Sequence, residues 1–191
     1  MKRWNLVRSE TETRYLIKGD KTVKKISSVA KLALVLLTFL VIPGLAMAES
    51  ITTPFSGTET LAGPPVDPGT ETFPDGNYHM RGFTALYYDA NDDPRVTGHD
   101  TVVANWNFRP APPPAVWMGP MWGTLHIEND NGTWDGRWTG TRDENGYSII
   151  TAEGHGSGDY AGLKAHWTFT RLSPDPTAPF DITGWILDPQ G

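Results

Sequence analysis

The sequence predicts an all-β domain, an antiparallel eight-stranded up-and-down barrel, over residues 49–191, preceded by a secretory signal in residues 1–48. Three observations support this prediction. Short aromatic and β-branched segments recur between clusters of Gly, Pro, Asn and Asp, without any long helical periodicity after Glu49. Within several segments, large apolar side chains occupy alternate positions, as in a strand with one buried face. Eight such segments joined as neighbours form a meander, which removes its exposed edges by closing.

The amino-terminal segment has the three parts of a secretory signal. Basic residues ending at Lys31 precede an apolar run, Leu32 to Ile42, and Ala46-Met47-Ala48 supplies small residues before a cut after Ala48. The run is about a dozen residues long, whereas a spanning helix needs ~20, so a cleaved signal is favoured over a membrane anchor. We therefore expect a secreted, periplasmic or cell-surface protein without stable membrane insertion after cleavage. A translation start at Val23 stays open, because residues 1–21 precede the signal.

Charge and composition exclude several functional classes. From Glu49 onward the chain has 7 basic and 19 acidic residues, a formal charge of −12. Such a surface repels phosphate backbones, so we expect no nucleic-acid partner. The chain contains no Cys, which excludes disulfides, thiolate metal sites and cysteine nucleophiles.

The expected strands follow one another closely along the chain. Turns rich in Gly, Asn and Asp separate them, and the acidic residues Asp89, Asp92, Asp93, Asp130, Asp143 and Glu144 are assigned to these turns. Two longer interruptions are a surface loop at 61–76 and a proline-stiffened loop at 109–120. The strands are expected near 51–58, 77–88, 95–109, 121–129, 133–142, 146–155, 160–171 and 180–187.

The aromatic residues supply the candidate ligand-binding positions. Alternation places Val102, Ala104, Trp106 and Phe108 on one face of a strand. An eight-stranded barrel is just wide enough to fill with side chains or to hold one small ligand, and glycines at strand positions reduce the filling volume. A solid core remains the alternative to an open interior. The interior or lid candidates are Trp117, Met118, Trp122, Trp106, Tyr87 and Tyr160.

Residues 154–163 (GHGSGDYAGL), after Tyr147-Ser148-Ile149-Ile150, resemble the signature of the allene oxide cyclase and dirigent-like barrels. In those families a strand ends in a glycine-rich turn, and an aromatic and a small residue open the next strand. The Gly-x-Trp-x-Gly unit at 132–136 is also similar to that group, and the resemblance covers residues 120–171. It implies a calycin-like barrel with an apolar interior, which holds a hydrophobic molecule and guides its cyclisation or coupling. No catalytic residue carries over, because the matching residues form a turn.

Other chemistry has weaker support in the sequence. The pairs His126-x-Glu128 and Glu153-x-His155 each place two ligands on one face of a strand, which would suit a metal if the two strands lay close together. Solvent-facing polar positions explain the same spacing, so no metal or cofactor is expected. A Gly-x-Ser-x-Gly elbow is absent, and the catalytic residues, if any, stay unknown.

Two functional classes remain open. The first is a barrel that binds a small hydrophobic molecule, with isomerase- or cyclase-like chemistry as an extension and Trp117, Met118 and Trp122 as a lid. The second is a non-catalytic structural or interaction domain at the cell surface, in which the same apolar loop is a partner or homo-oligomer interface.

Overall fold

A computed structural model describes residues 49–190, and nearly all of their regular structure is β. The predicted signal and its cleavage site lie outside the described residues. Within the described range, no helix is long and apolar enough to cross a membrane. The only helical elements there are two 3-10 turns, Pro74–Gly76 and Pro94–Val96. The strands are β1 (Ile51–Leu61), β2 (Thr70–Thr72), β3 (Tyr78–Asn91), β4 (Gly98–Pro110), β5 (Trp117–Asn129), β6 (Gly132–Arg142), β7 (Ser148–Gly158), β8 (Lys164–Arg171) and β9 (Phe180–Asp188).

The strands form one antiparallel sheet that closes on itself. Its order is β1-β9-β8-β7-β6-β5-β4-β3-β2, and β1 also pairs with β3. Eight strands therefore make a barrel-like ring, and β2 adds to β3 beside the closing seam. That seam is the β1–β3 pairing, which runs from Gly57 opposite Asn91 to Leu61 opposite Tyr87. Closure gives the main-chain groups of β1 a partner on each side over this segment, so neither seam strand is left as an open edge.

Most of the predicted elements are confirmed. All eight expected segments are strands, with ends that differ by up to four residues. The surface loop at 61–76 contains an unpredicted strand, β2, whose Thr70–Thr72 pairs with β3. The second loop is shorter than predicted, because β5 begins at Trp117 rather than at 121. Asp89 does not lie in a turn: β3 continues to Asn91.

Alternation determines which residues of each strand face inward, and a bulge in β3 shifts that alternation by one residue. On β4 the inner positions include Ala104 and Phe108, as the alternation predicts. On β3 the register shifts between Met80 and Phe83, where Gly82 has a φ of 72°. The extra residue lets Met80 and Phe83 both face inward, although an uninterrupted strand would place them on opposite faces.

One region of the interior is filled by large rings, and we call it the packed region: Phe55, Ile127, Trp134, Tyr160 and Trp167. Trp134 and Trp167 are fully buried and meet edge to face with centroids 5.8 Å apart. Tyr160 stacks on Trp134 at 5.4 Å. The Trp134 Nε1–H donates to the carbonyl oxygen of Arg95 at 2.7 Å, and the Tyr160 hydroxyl donates to Asn129 Oδ1 at 2.7 Å. Both polar tips are therefore satisfied, as is usual for buried Tyr and Trp, whereas the Nε1–H of Trp167 has no partner within residues 49–190.

The strand glycines make room for these rings and do not leave empty space. A Cβ at Gly154 would contact the Trp167 ring at 3.0 Å, and one at Gly184 would overlap the Phe55 ring. A Cβ at Gly136 would touch Leu125. The sequence-based expectation that strand glycines open the interior is therefore wrong at Gly136 and Gly154, because neighbouring side chains occupy the freed volume.

Candidate functional site

The rest of the interior is open and forms a cavity of about 540 Å³. Its walls are mainly apolar side chains from the inner faces of the strands. The loops at 111–116 and 172–179 contribute Pro114, Val116, Pro174 and Pro176. This volume lies in the range of pockets that hold small organic molecules, about 300–1,000 Å³. Strand residues on the walls include Phe83, Val102, Ala104, Trp106, Met121 and Phe169.

An aromatic group borders the cavity where it meets solvent. Tyr78 is the centre of this group: its ring lies 5.6 Å from that of Trp106 and 5.5 Å from that of Trp117. Phe73, which precedes the first 3-10 turn, stacks on Tyr78 at 5.1 Å and is 57% exposed. Val116 lines the cavity and is 66% exposed. An apolar opening of this kind favours the entry of an apolar molecule.

Three carboxylates, which we call the carboxylate cluster, lie on the inner face at the closing seam: Glu59 on β1, Asp89 on β3 and Asp100 on β4. The seam register places Glu59 directly opposite Asp89. Asp100 follows on the next strand, opposite Tyr87. Oxygen atoms of the three groups lie within 4.8 Å of one another. Glu59 and Asp100 line the cavity, and Asp89 lies beside them.

The carboxylate cluster is buried and poorly satisfied by hydrogen bonds. Asp89 and Asp100 are fully buried, and Glu59 is 6% exposed. The backbone N–H of His126 donates to Asp100 Oδ1 at 3.1 Å. Both carboxylate oxygens of Asp89 and Oδ2 of Asp100 have no hydrogen-bond partner in the described chain. Unpaired buried carboxylates are costly, so this arrangement requires either bound protons or a bound cation.

Burial and mutual repulsion favour protons when no cation is present. Desolvation, then repulsion from Asp100, raises the pKa of Asp89 to about 8. Desolvation raises the pKa of Asp100 to about 7, against the opposing effect of the His126 backbone N–H. The pKa of Glu59 is also well above its ordinary value, mainly through desolvation and then through repulsion from Asp89 and Asp100. A cluster with such pKa values holds protons near neutral pH and can donate them into the cavity.

Arg171 is the candidate counterion for this cluster, but its hydrogen bond and its ring contact are made with other residues. It lines the cavity and is 8% exposed. Its Nη1–H donates to the carbonyl oxygen of Pro176 at 2.8 Å, and its guanidinium carbon lies 4.5 Å from the centre of the Phe180 ring. Its Nε–H has no partner. The cavity thus contains acidic side chains of the cluster and two basic side chains, Arg142 and Arg171, on mainly apolar walls.

The structure separates the predicted ligand-binding residues into two sets. Tyr87, Trp106 and Trp117 line the cavity. Trp122 lies on the opposite face of β5, where the Arg81 guanidinium is 5.1 Å from the centre of its ring. The other two also do not line the cavity: Met118 alternates with Trp117 on β5, and Tyr160 belongs to the packed region.

The four residues considered as metal ligands lie on two non-adjacent strands. The strand β6 separates β5 from β7, and the sheet register places Asp135 of β6 between His126 and His155. His126 Nδ1 lies 2.7 Å from Asp135 Oδ1, and its Nε2 lies 3.9 Å from Glu128 Oε2. Glu153 instead approaches His166, at 4.0 Å. In residues 49–190, the three acidic or imidazole groups close enough to share one ion are Glu59, Asp89 and Asp100, not these four.

The carboxylate cluster was missed by reasoning from the sequence. The expected first strand ended at 58, one residue before Glu59, and Asp89 was assigned to a turn. The alternation on β4 does predict Asp100 as an inner-face residue, because the face that contains Val102 and Ala104 extends two residues back to it. The meeting of Glu59 with Asp89 depends on the register of the closing seam, which no local pattern encodes.

Comparison with protein-family models, with curated protein sequences and with solved structures finds no match to this chain.

Proposed function

We propose that the protein is a secreted up-and-down barrel of the allene oxide cyclase and dirigent-like type that binds one small, mainly hydrophobic molecule in its cavity. The observation that carries this proposal is a cavity of about 540 Å³ in the ring interior, lined by aromatic and aliphatic side chains. Small-molecule sites combine such apolar walls with a few convergent polar groups. Here those groups are the carboxylate cluster and Arg171. The signal pattern before Glu49 supports secretion.

The polar groups define how the molecule is oriented. Its apolar body contacts Phe83, Trp106 and Met121, and a single polar end reaches Glu59 and Asp100 on the wall. A protonated carboxyl donates a hydrogen bond to a carbonyl or hydroxyl oxygen, as burial keeps it neutral near pH 7. An isomerase- or cyclase-like reaction needs a proton donor shielded from water, and the same carboxyl supplies it.

A pair of tryptophans on opposite faces of β5 tests this function. Binding of the hydrophobic fluorescent probe N-phenyl-1-naphthylamine is measured for wild type, Trp117→Ala and the control Trp122→Ala. Trp117 lines the cavity and Trp122 does not, so we expect weaker probe binding only in Trp117→Ala. Circular dichroism establishes that both variants are folded. Equal affinities in all three proteins, or no saturable binding by wild type, would exclude the cavity as the binding site.

The exposed apolar residues around the opening favour one alternative, an interaction domain that is not an enzyme. Phe73, Val116 and Leu61 are 57%, 66% and 41% exposed. In a partner or homo-oligomer interface these side chains would be covered. Sedimentation velocity over a wide concentration range separates the two functions. A monomer that binds the probe supports the ligand function. A wild-type dimer whose self-association is weakened in Val116→Ser supports the interaction domain.

A further inference from the structure

We propose that the carboxylate cluster is a binding site for one hard divalent cation of the Ca²⁺, Mg²⁺ or Mn²⁺ class. Glu59, Asp89 and Asp100 each offer an oxygen, and these oxygens lie within 4.8 Å of one another. Oxygens bound to one such ion at about 2.0–2.6 Å are at most about 4–5 Å apart. The three strands that meet at the seam therefore already hold their carboxylates within the span of a single ion.

A second observation is that Asp89 is aimed into this cluster without any partner. The side chain is fully buried, and neither of its oxygens accepts a hydrogen bond. Buried polar groups are normally paired, and a carboxylate that lacks both partners points to a ligand or a proton.

Among residues 49–190, no cationic side chain forms an ion pair with the cluster, and the charge of Arg171 acts on Glu59 only from a distance. In residues 49–190, no Lys, Arg or His nitrogen lies within 4.0 Å of a carboxylate oxygen of the cluster. Arg171 is directed toward Pro176 and Phe180. His126 presents only its backbone N–H to Asp100, while its imidazole contacts Asp135 on another strand. A divalent ion would therefore supply the missing positive charge at the point where three negative groups meet.

The chemistry of the three carboxylates and their position beside the cavity indicate which class of ion would bind. All three donors are carboxylate oxygens, which suit hard cations rather than ions that prefer imidazole or thiolate. Glu59 and Asp100 line the cavity, so the remaining coordination positions face a space that holds water or the oxygen of an organic ligand. The site thus extends the function beyond apolar binding, since the ion would fix an oxygen-containing ligand in place.

The test measures Mn²⁺ binding by electron paramagnetic resonance after the purified protein has been stripped with EDTA. Wild type is compared with Asp89→Asn and Asp100→Asn, which keep the side-chain shape but remove a charged ligand. The matched control is Asp135→Asn, which removes an exposed carboxylate that contacts His126 on another strand. We expect one Mn²⁺ per chain at pH 8, affinity lowered by about 100-fold or more in each cluster variant, and no change in the control. Displacement by Ca²⁺ and Mg²⁺ identifies the preferred ion.

Two outcomes would overturn the proposal. Absence of saturable Mn²⁺ binding at pH 8 would show that the cluster holds protons only. Binding that is lost in Asp135→Asn and kept in Asp89→Asn would place the ion near His126.

Because protons compete with the ion for the carboxylates, the affinity for Mn²⁺ should also fall at pH 5. Binding of the hydrophobic probe is measured on the same stripped protein, so failure of the cation site is distinguishable from failure of the ligand cavity.

Discussion

The packed region and the cavity are built from the same alternation but differ in how the inner face is occupied. In the packed region, the Trp167 ring occupies space left by Gly154 on the neighbouring strand, and both Trp134 and Trp167 are fully buried. Around the cavity, Trp106 and Trp117 lie along the wall instead. Both regions are aromatic, so aromatic content alone does not predict whether a ring interior is filled.

The difference also concerns polar groups. In the packed region, the polar atoms of Trp134 and Tyr160 have hydrogen-bond partners, and one neutral group, the indole N–H of Trp167, has none within residues 49–190. Beside the cavity, Asp89, part of Asp100 and the Nε of Arg171 have none. Stable cores satisfy most of their polar groups with hydrogen bonds, whereas functional sites contain polar groups that are free to bind a ligand. Unsatisfied ionisable groups, rather than aromatic rings or unsatisfied polar atoms in general, therefore distinguish the candidate site from the core.

The largest expected effect comes from removing one ring from each region. Trp134→Ala should lower the free energy of unfolding by about 3–5 kcal/mol, because a fully buried ring leaves a cavity that its neighbours cannot fill. Trp117→Ala borders a space that is already open, so its loss should be about 1 kcal/mol. Urea unfolding monitored by circular dichroism measures both. Equal losses would contradict the distinction between the regions.

The two regions should also differ in how well they tolerate an added aromatic ring. Ala165 and Ala104 are both buried inner-face residues, but only Ala104 lines the cavity. We expect Ala165→Phe to destabilise by about 1–3 kcal/mol through overpacking, whereas Ala104→Phe should cost less than about 1 kcal/mol. Thermal unfolding measures the difference. If Ala104→Phe proved the more destabilising variant, the cavity would be too small to admit an added ring.

Stability should also depend on pH through the carboxylate cluster. The pKa values of Asp89 and Asp100, about 8 and about 7, lie above the ordinary 3.8, so the folded state holds protons that the unfolded state has released. Stability is therefore highest below about pH 4 with respect to these groups and falls as the pH rises toward 8.

The groups that face this cluster allow the pH effect to be assigned. They are Glu59, Arg171, Tyr87 and the backbone of His126. In EDTA, Asp89→Asn should be more stable than wild type at pH 8 and should show a shallower decline between pH 5 and pH 8. The control is Asp181→Asn, which changes an exposed carboxylate on β9. The assignment fails if Asp181→Asn flattens the pH profile as much as Asp89→Asn does.

The sequence contains enough to predict the strands and most inner faces, because period-two alternation and turn residues are local signals. It predicts Trp106 on the inner face correctly. It does not predict that Trp122 lies on the opposite face from Trp117, since the onset of β5 at Trp117 depends on pairing with Pro110. The meeting of Glu59 with Asp89 depends on seam register, and the cavity depends on packing across the ring. Both properties are set by tertiary contacts.

Native mass spectrometry of the protein purified from the producing culture can show whether the cavity holds a small molecule. Wild type is compared with Ala104→Phe, in which the added ring occupies part of the cavity. The account predicts a stoichiometric small-molecule adduct on wild type, released on denaturation, and its loss from the folded Ala104→Phe variant. A bare mass for wild type that stays bare after incubation with hydrophobic probes, or an adduct retained equally by Ala104→Phe, would contradict it.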